Sequence, residues 1–541
     1  MDNSLRPQQA GYTELGAVTQ DVTAASHART GATRFPLPDS WPLLIILLAQ
    51  AILSLPLLRA DTAFVDEATY LWAGHLELAH WLHGTPIPPF PAYFSGAPVI
   101  YPPLGAVADS LGGLAGARIL SLAFMLGATS LLWSSTRRLF GRQAAVFAAA
   151  LFGVLGPTLH LGAFATYDAM SVLLVGLAAW LVIQAGDRPN ATRWLVAAGI
   201  CLAVANMAAY SSALFDVIVV LLALLMPMRH RGVKLAVAQC LTVLLVVAVL
   251  VGAGLLIGGS AYAHGVDVTT IERVPGTESA LGVLRDAWTW TGVVVVVAVC
   301  GIVFSRLRHE GATVTWLLVV LTAAAVLGPL EQGRLHTAAS LNKHVGAGAW
   351  FATVAAGYAI DKIIVAARTG GARRVTCAAC VIALAFPVSL GVSQSRAFST
   401  SWPKSTSFVA VLRPLVDATT GPMLVEDPTI AEYYLHAESH WKRWSSTRNI
   451  VLQSGQSSGG PSQAAGVVGA GNAGTYAAKI ASGYFALVAL NYADTTALDL
   501  QIKTDLSRNH RYRIVRVVPY GPLPGTDVMG TYIIWRRAGT P

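Results

Sequence analysis

Blocks of about twenty apolar residues recur along this chain, and a stretch of that length crosses the hydrocarbon core of a bilayer as one helix. They fall near 41–59, 116–136, 143–161, 168–185, 193–210, 212–228, 235–258, 288–305, 314–330, 346–365 and 375–393. Lipid offers no partner to a bare peptide group, so repeated blocks of this kind form helices packed in a bundle. Composition agrees. Of 541 residues, 54% are hydrophobic and only 12% charged, against a usual charged share of about 25%. The expected fold is therefore an α-helical polytopic membrane protein of about eleven spans. The break at Tyr210–Ser212 decides whether 193–228 is two helices or one, and the parity of the topology with it.

The net charge of +9 does not point to nucleic acid, because the basic residues lie in short clusters between apolar blocks. With the N-terminus inside, the inner loops hold fourteen Lys and Arg, including Arg137, Arg138, Arg142, Arg373 and Arg374. The outer loops hold six over longer stretches: Arg59, Arg118, Arg273, Arg285, Arg334 and Lys343. That asymmetry is the positive-inside pattern. It puts 60–115, 160–167, 259–287, 331–345 and everything after about 395 on the extracytoplasmic face of the plasma membrane. All five cysteines (Cys201, Cys240, Cys300, Cys377 and Cys380) lie in apolar segments, so no disulfide framework is expected outside.

Three segments follow from these patterns. Residues 1–40 are polar, rich in Ala, Thr and Gln, and read as a disordered cytoplasmic tail. Residues 41–394 are the membrane domain. Residues 395–541 alternate strand-like runs (Met423–Glu426, Tyr484–Leu490, Tyr512–Val518, Tyr532–Arg536) with helical ones (405–418, 429–437, 475–482, 495–508), which predicts a small extracytoplasmic α/β domain. The stretch Ser454–Gly474 lacks periodicity and reads as a mobile loop.

The chemistry-bearing residues sit in the outer loops. The first, about fifty-five residues long, opens with Asp61-Thr-Ala-Phe-Val-Asp66-Glu67-Ala-Thr-Tyr70 and continues as a surface helix from Glu67 to about His83. Asp66 and Glu67 fit a helix start, as N-cap and dipole partner. They equally fit a site, and since neighbouring helical residues do not share a face, only one of them can point into a given cavity. Tyr101-Pro102-Pro103-Leu104 then fixes a helix entry. Asp168 opens a span from a short loop, and an acidic group at membrane depth marks function unless it caps its helix. Further out lie Arg273, then Arg334, His336, Lys343 and His344 at intervals of two, seven and one residues. They read as headgroup anchors or phosphate ligands. If that segment is helical, His336 and Lys343 share a face.

The order of these elements resembles the GT-C class of membrane glycosyltransferases: an acidic pair after the first span, a Pro-Pro-Leu element, a paired-basic inner loop and a lone Asp opening a later span. The similarity is greatest to the lipid A aminoarabinose transferases and, more distantly, to the protein O-mannosyltransferases, and it covers roughly residues 40–190. It implies a polyprenyl-phosphate-linked sugar donor, inverting transfer outside the cytoplasm, and a glycan, lipid or protein acceptor. Asp66 matches the catalytic Asp of that family, with Glu67 beside it, and Asp168 matches a second acidic position. Tyr70 and Tyr101 are expected beside the substrate. Where that family often carries Lys before Pro-Pro-Leu, this chain has Tyr101, so the donor phosphate needs another cation from among Arg273, Arg334, His336, Lys343 and His344. No ligand spacing calls for a metal, and Asp66 or Glu67 with Asp168 are the groups that would hold a divalent ion. The competing class is a transporter or lipid flippase. It accounts for the bundle and Asp168, but not for charge concentrated in outer loops, an added outer domain, or the lack of an inverted repeat.

Overall fold

The computed structural model describes residues 40–541 except 187, 189, 229–230, 368, 448–469, 494, 523–528 and 540–541. The expected N-terminal tail and most of the 454–474 loop lie outside the described residues. The membrane part comprises α1 (Trp41–Ser54), α2 (Val65–His83), α3 (Tyr101–Phe140), α4 (Arg142–Val154), α5 (Gly156–Leu161), α6 (Tyr167–Ala185), α7 (Thr192–Ala208), α8 (Asp216–Met228), α9 (Val233–Val266), α10 (Ala280–Leu307), α11 (Ala312–Arg334), α12 (Leu341–Ala366), α13 (Gly370–Ala383) and α14 (Ala385–Ser399). Nine helical segments among the described residues are long and apolar enough to cross a membrane. Arg142–Val154 and Thr192–Ala208 are shorter apolar helices at the two remaining expected positions, so a count of eleven depends on these two.

Burial separates core from lipid face. In α12, 67% of the most apolar window is buried, against 6% in α9. α12 is accordingly the central rod, packed against α10, α11 and α4. Without a hydrophobic drive between helices in lipid, close approach depends on small residues. A Cβ on Gly348 would lie 2.4 Å from the Ala324 carbonyl oxygen, and one on Gly357 2.4 Å from that of Ala144. The Trp350 indole donates to the Ala128 carbonyl at 2.8 Å, tying α12 to α3.

α3 is two helices joined across Gly112 and Gly113. Gly113 takes φ 62°, which an L side chain rarely adopts. The half from Tyr101 to Leu111 belongs to the first long loop and packs on α2, where a Cβ on Gly74 would lie 1.9 Å from the Pro102 carbonyl oxygen. α2 covers the surface helix expected from Glu67 to His83, beginning two residues earlier.

The chain after α14 forms α15 (Thr406–Asp417), β1 (Met423–Val425), α16 (Thr429–Tyr434), β2 (Trp444–Ser446), α17 (Ala470–Ser482), β3 (Leu487–Leu490), α18 (Thr496–Arg508), β4 (Tyr512–Pro522) and β5 (Met529–Arg537). The sheet order is β2-β1-β3-β5-β4. β1 pairs in parallel with β2 and β3, and β5 runs antiparallel to β3 and β4. The sequence pattern missed β2, whose three residues are too few for periodicity to register.

Candidate active site

Local sequence sends the adjacent acids Asp66 and Glu67 in opposite directions. α2 starts after Phe64, so they occupy its first turn. Glu67 points inward and is fully buried. Its carboxylate accepts the Phe64 backbone N–H at 3.0 Å and the Ala165 N–H at 2.8 Å, and takes two hydrogen bonds from Arg118 at 2.8 and 2.7 Å. With four donors on two oxygens, Glu67 fixes the helix start and lies off the cavity wall.

Asp66 turns the other way. It is 31% exposed and accepts a hydrogen bond from Lys343 Nζ at 2.6 Å, across 277 residues of sequence. Asp168, on the first turn of α6, lies 4.0 Å from the same ammonium and accepts the Thr166 hydroxyl at 2.7 Å. Lys343 and Asp168 are each 7% exposed. One buried lysine thus bridges two carboxylates from different helices. A buried charge is tolerated only with partners, so the three groups set each other's positions.

The triad borders a cavity of about 710 Å³ whose wall includes Asp66, Tyr70, Arg273, Lys343 and His344. Along one side runs a chain of hydroxyls: Tyr70 donates to Tyr167 at 3.0 Å, and Tyr167 meets Ser95 at 2.6 Å. Burial, with Tyr167 and Asp66 close by, raises the Tyr70 pKa well above its ordinary value, so this phenol stays a neutral donor. The wall also carries the aromatic rings of Phe64, Phe164, Phe398 and Trp402.

Five residues expected at the site reach the cavity wall: Asp66, Tyr70, Arg273, Lys343 and His344. Asp168 stands directly behind Lys343. Glu67, Tyr101, Arg334 and His336 do not line the cavity. Tyr101 is buried at the start of α3, its ring against Gly105 within the α2–α3 pair. Arg334 closes α11 at the surface, held by Glu331 at 2.9 and 2.6 Å. His336 and Lys343 do not share a helix face, because 335–340 is a loop in which His336 and Ser340 take positive φ. His336 bonds the Glu278 carbonyl at 2.9 Å instead. His344 is held by Gln332 at 2.6 Å. Arg273, just beyond α9, makes no ion pair among the described residues.

The sequence reading passed over His160, Tyr167 and Trp402. His160 is 2% exposed on the cavity wall, its ring 4.7 Å from Phe164, with Nδ1 lacking a partner among the described residues. An ionisable residue within an apolar block was a usable signal for it. Tyr167 directly precedes Asp168. Trp402 comes from the link between α14 and α15 and carries no local signal.

The bundle, with its long first loop and a small α/β unit after the last span, has the fold of the GT-C membrane glycosyltransferases. Residues 110–253 match the family model described as dolichyl-phosphate-mannose-protein mannosyltransferase. The structure is similar to that of ArnT from Cupriavidus metallidurans bound to undecaprenyl phosphate, at 13% identity and TM-score 0.60, over 92% of this chain and 98% of that one. It is also similar to the archaeal oligosaccharyltransferase AglB from Archaeoglobus fulgidus, in complex with an inhibitory peptide and a dolichol-phosphate, at 13% identity and TM-score 0.56, over 91% of this chain and 74% of that one. The arabinofuranosyltransferase AftD from Mycobacteria matches at 14% identity and TM-score 0.51, over 92% of this chain and 42% of that one. No curated protein matches by sequence. At these identities the likeness is one of fold, and the resemblance read from the sequence is borne out.

Proposed function

We propose that this protein is an inverting glycosyltransferase of the plasma membrane, moving a sugar from a polyprenyl-phosphate donor to an acceptor hydroxyl on the extracytoplasmic side. The observation that carries the reading is the Asp66–Lys343–Asp168 bridge at the edge of the cavity. The solved relatives that hold undecaprenyl phosphate or dolichol-phosphate support the donor class. The clustering of basic residues at one set of loops supports the sidedness.

The groups suit the reaction in one displacement. The acceptor oxygen attacks the anomeric carbon from the face opposite the phosphate, its proton passes to Asp66, and the anomeric C–O bond breaks. The electron pair leaves on polyprenyl monophosphate, and one such displacement inverts the anomeric centre. A positioned carboxylate contributes about 10²–10⁴-fold as general base. Lys343 and Arg273, both on the cavity wall, are the cations that would stabilise the departing phosphate. As the phosphate draws the Lys343 ammonium, Asp66 is freed from its partner to take the acceptor proton, while Asp168 keeps the lysine in reach.

The residues present do not fit a divalent ion bridging Asp66 and Asp168. A lysine ammonium already lies between them, and Glu67 is committed to Arg118. No group of three His, Cys, Asp or Glu among the described residues could hold a metal.

The test uses the purified full chain with undecaprenyl-phosphate-linked pentoses and hexoses, taking water as the minimal acceptor. We expect wild-type protein to release undecaprenyl phosphate from at least one donor, and Asp66→Asn, equally expressed and folded, to lose about 10²-fold or more of that rate. Failure of wild type to cleave any donor, or undiminished cleavage by Asp66→Asn, overturns the reading.

A further inference from the structure

The turn that delivers Asp66 is held from two sides. From within the membrane part, Arg118 donates to the carbonyls of Leu58 and Asp61, both at 3.0 Å, and of Thr62 at 3.3 Å. From beyond the last span comes a second set of bonds. The Trp402 indole donates to the Thr62 carbonyl at 3.0 Å. The Ser405 N–H donates to the Thr62 hydroxyl at 3.1 Å. The Ala63 N–H donates to the Tyr434 hydroxyl at 2.9 Å, across 371 residues. The Phe64 ring packs on Trp402 with centroids 5.0 Å apart. Behind this, Tyr433 donates to Asp109 at 2.7 Å, Asp109 meets His75 of α2 at 2.7 Å, and Trp441 donates to the Pro86 carbonyl at 3.0 Å.

These contacts converge on one place. Trp402 and Ser405 lie in the segment leading into the α/β unit, and Tyr434 closes α16 inside it. Their targets, Thr62 and Ala63, are four and three residues from Asp66. The Ala63 N–H lies one residue outside α2, whose N-cap is Phe64, so the helix offers it no acceptor and the Tyr434 hydroxyl takes it instead.

We propose that the C-terminal α/β unit is a positioning element for catalysis: Tyr434, with Trp402 and Ser405, fixes the Thr62–Phe64 turn and so the aim of Asp66 into the cavity. This rests on the reading of Asp66 as the base. It gives the appended unit a role in the chemical step that does not require it to touch donor or acceptor. Misplacing a reacting group by about 1 Å can cost about a hundredfold in rate, so removing one oxygen 2.9 Å from the Ala63 amide has a measurable consequence.

The experiment compares Tyr434→Phe and Thr62→Val with wild type and Asp66→Asn, using full-length protein and the undecaprenyl-phosphate sugar that wild type cleaves. Tyr434→Phe deletes only the hydroxyl, and Thr62→Val keeps the shape while deleting the hydroxyl that accepts from Ser405 at 3.1 Å and donates to Asp61 at 3.3 Å. We expect each to lower kcat about tenfold or more with donor KM unchanged. On an Asp66→Asn background Tyr434→Phe should lower the residual rate no further, because an aim without a base is worthless. Hydrogen exchange should speed up in the peptide spanning 60–68, with the remaining peptides and the melting temperature unmoved. Wild-type kcat in both variants, an effect on KM alone, additive loss with Asp66→Asn, or unchanged exchange at 60–68 overturns this inference. Full activity of Asp66→Asn overturns the site reading and this inference together, which separates the two failures.

Discussion

Lys343 is the residue on which the site's electrostatics turn. Its ammonium is 2.6 Å from one carboxylate and 4.0 Å from another, in surroundings that leave it 7% exposed. Taking it away would leave Asp66 and Asp168 facing each other across a poorly solvated gap, where like charges repel strongly. Lys343→Met should therefore reduce kcat/KM for donor about 10²–10³-fold, the loss seen when a charge-stabilising donor is removed from a transition state. Steady-state kinetics with a cleavable undecaprenyl-phosphate sugar checks this, and wild-type kcat/KM would mean that Arg273 alone carries the phosphate. Sequence reasoning placed Lys343 among five cations of equal standing. Only folding separated it from Arg334, which Glu331 holds at the surface, and from His336, which sits in a loop of positive φ.

At the scale of elements, α16 is short but joins two parts of the molecule, packing against α2. Its Glu432 is 9% exposed, and burial, with Asp427 close by, pushes its pKa up to about 8 from an ordinary 4.5. Between those two values the folded protein holds a proton that the unfolded chain has released. This contribution to stability is complete below about pH 4.5 and is lost as pH rises to about 8, at up to about 1.4 kcal/mol per pH unit. Thermal unfolding in detergent should thus show a melting temperature that falls across this window, and Glu432→Gln should flatten the fall. An unchanged slope in that variant would place the titrating group elsewhere. The seam between α2 and the first half of α3 has a different basis, since Gly74 admits the Pro102 carbonyl where no Cβ fits. Nothing in the local sequence distinguishes that glycine from the others in the chain.

For the whole molecule, the basic clusters predict the sidedness. Lys442 lies exposed beside Trp441 in the C-terminal part, and Arg374 lies exposed at the start of α13. On intact cells a membrane-impermeant maleimide should label Lys442→Cys, and should label Arg374→Cys only after permeabilisation. The reverse pattern would invert the topology and put the cavity on the cytoplasmic side. A single compact unit runs from Pro42 to Pro541. The α/β part is therefore packed onto the bundle, and three hydrogen bonds tie it and the segment leading into it to Thr62 and Ala63.

The sequence by itself determined the class of fold, because apolar block length and the spacing of basic clusters are local properties set by bilayer thickness and charge. It also marked Asp66 and Asp168, since a carboxylate beside or within an apolar span stands out against its neighbours. The tertiary structure alone decided which of two adjacent acids faces the cavity, because a buried arginine 51 residues away claimed Glu67. It alone chose Lys343 as the bridging cation and brought Trp402 and Tyr434 to the turn before Asp66. Those choices rest on contacts spanning from 51 to 371 residues, and no periodicity in a linear sequence encodes which distant side chains will meet.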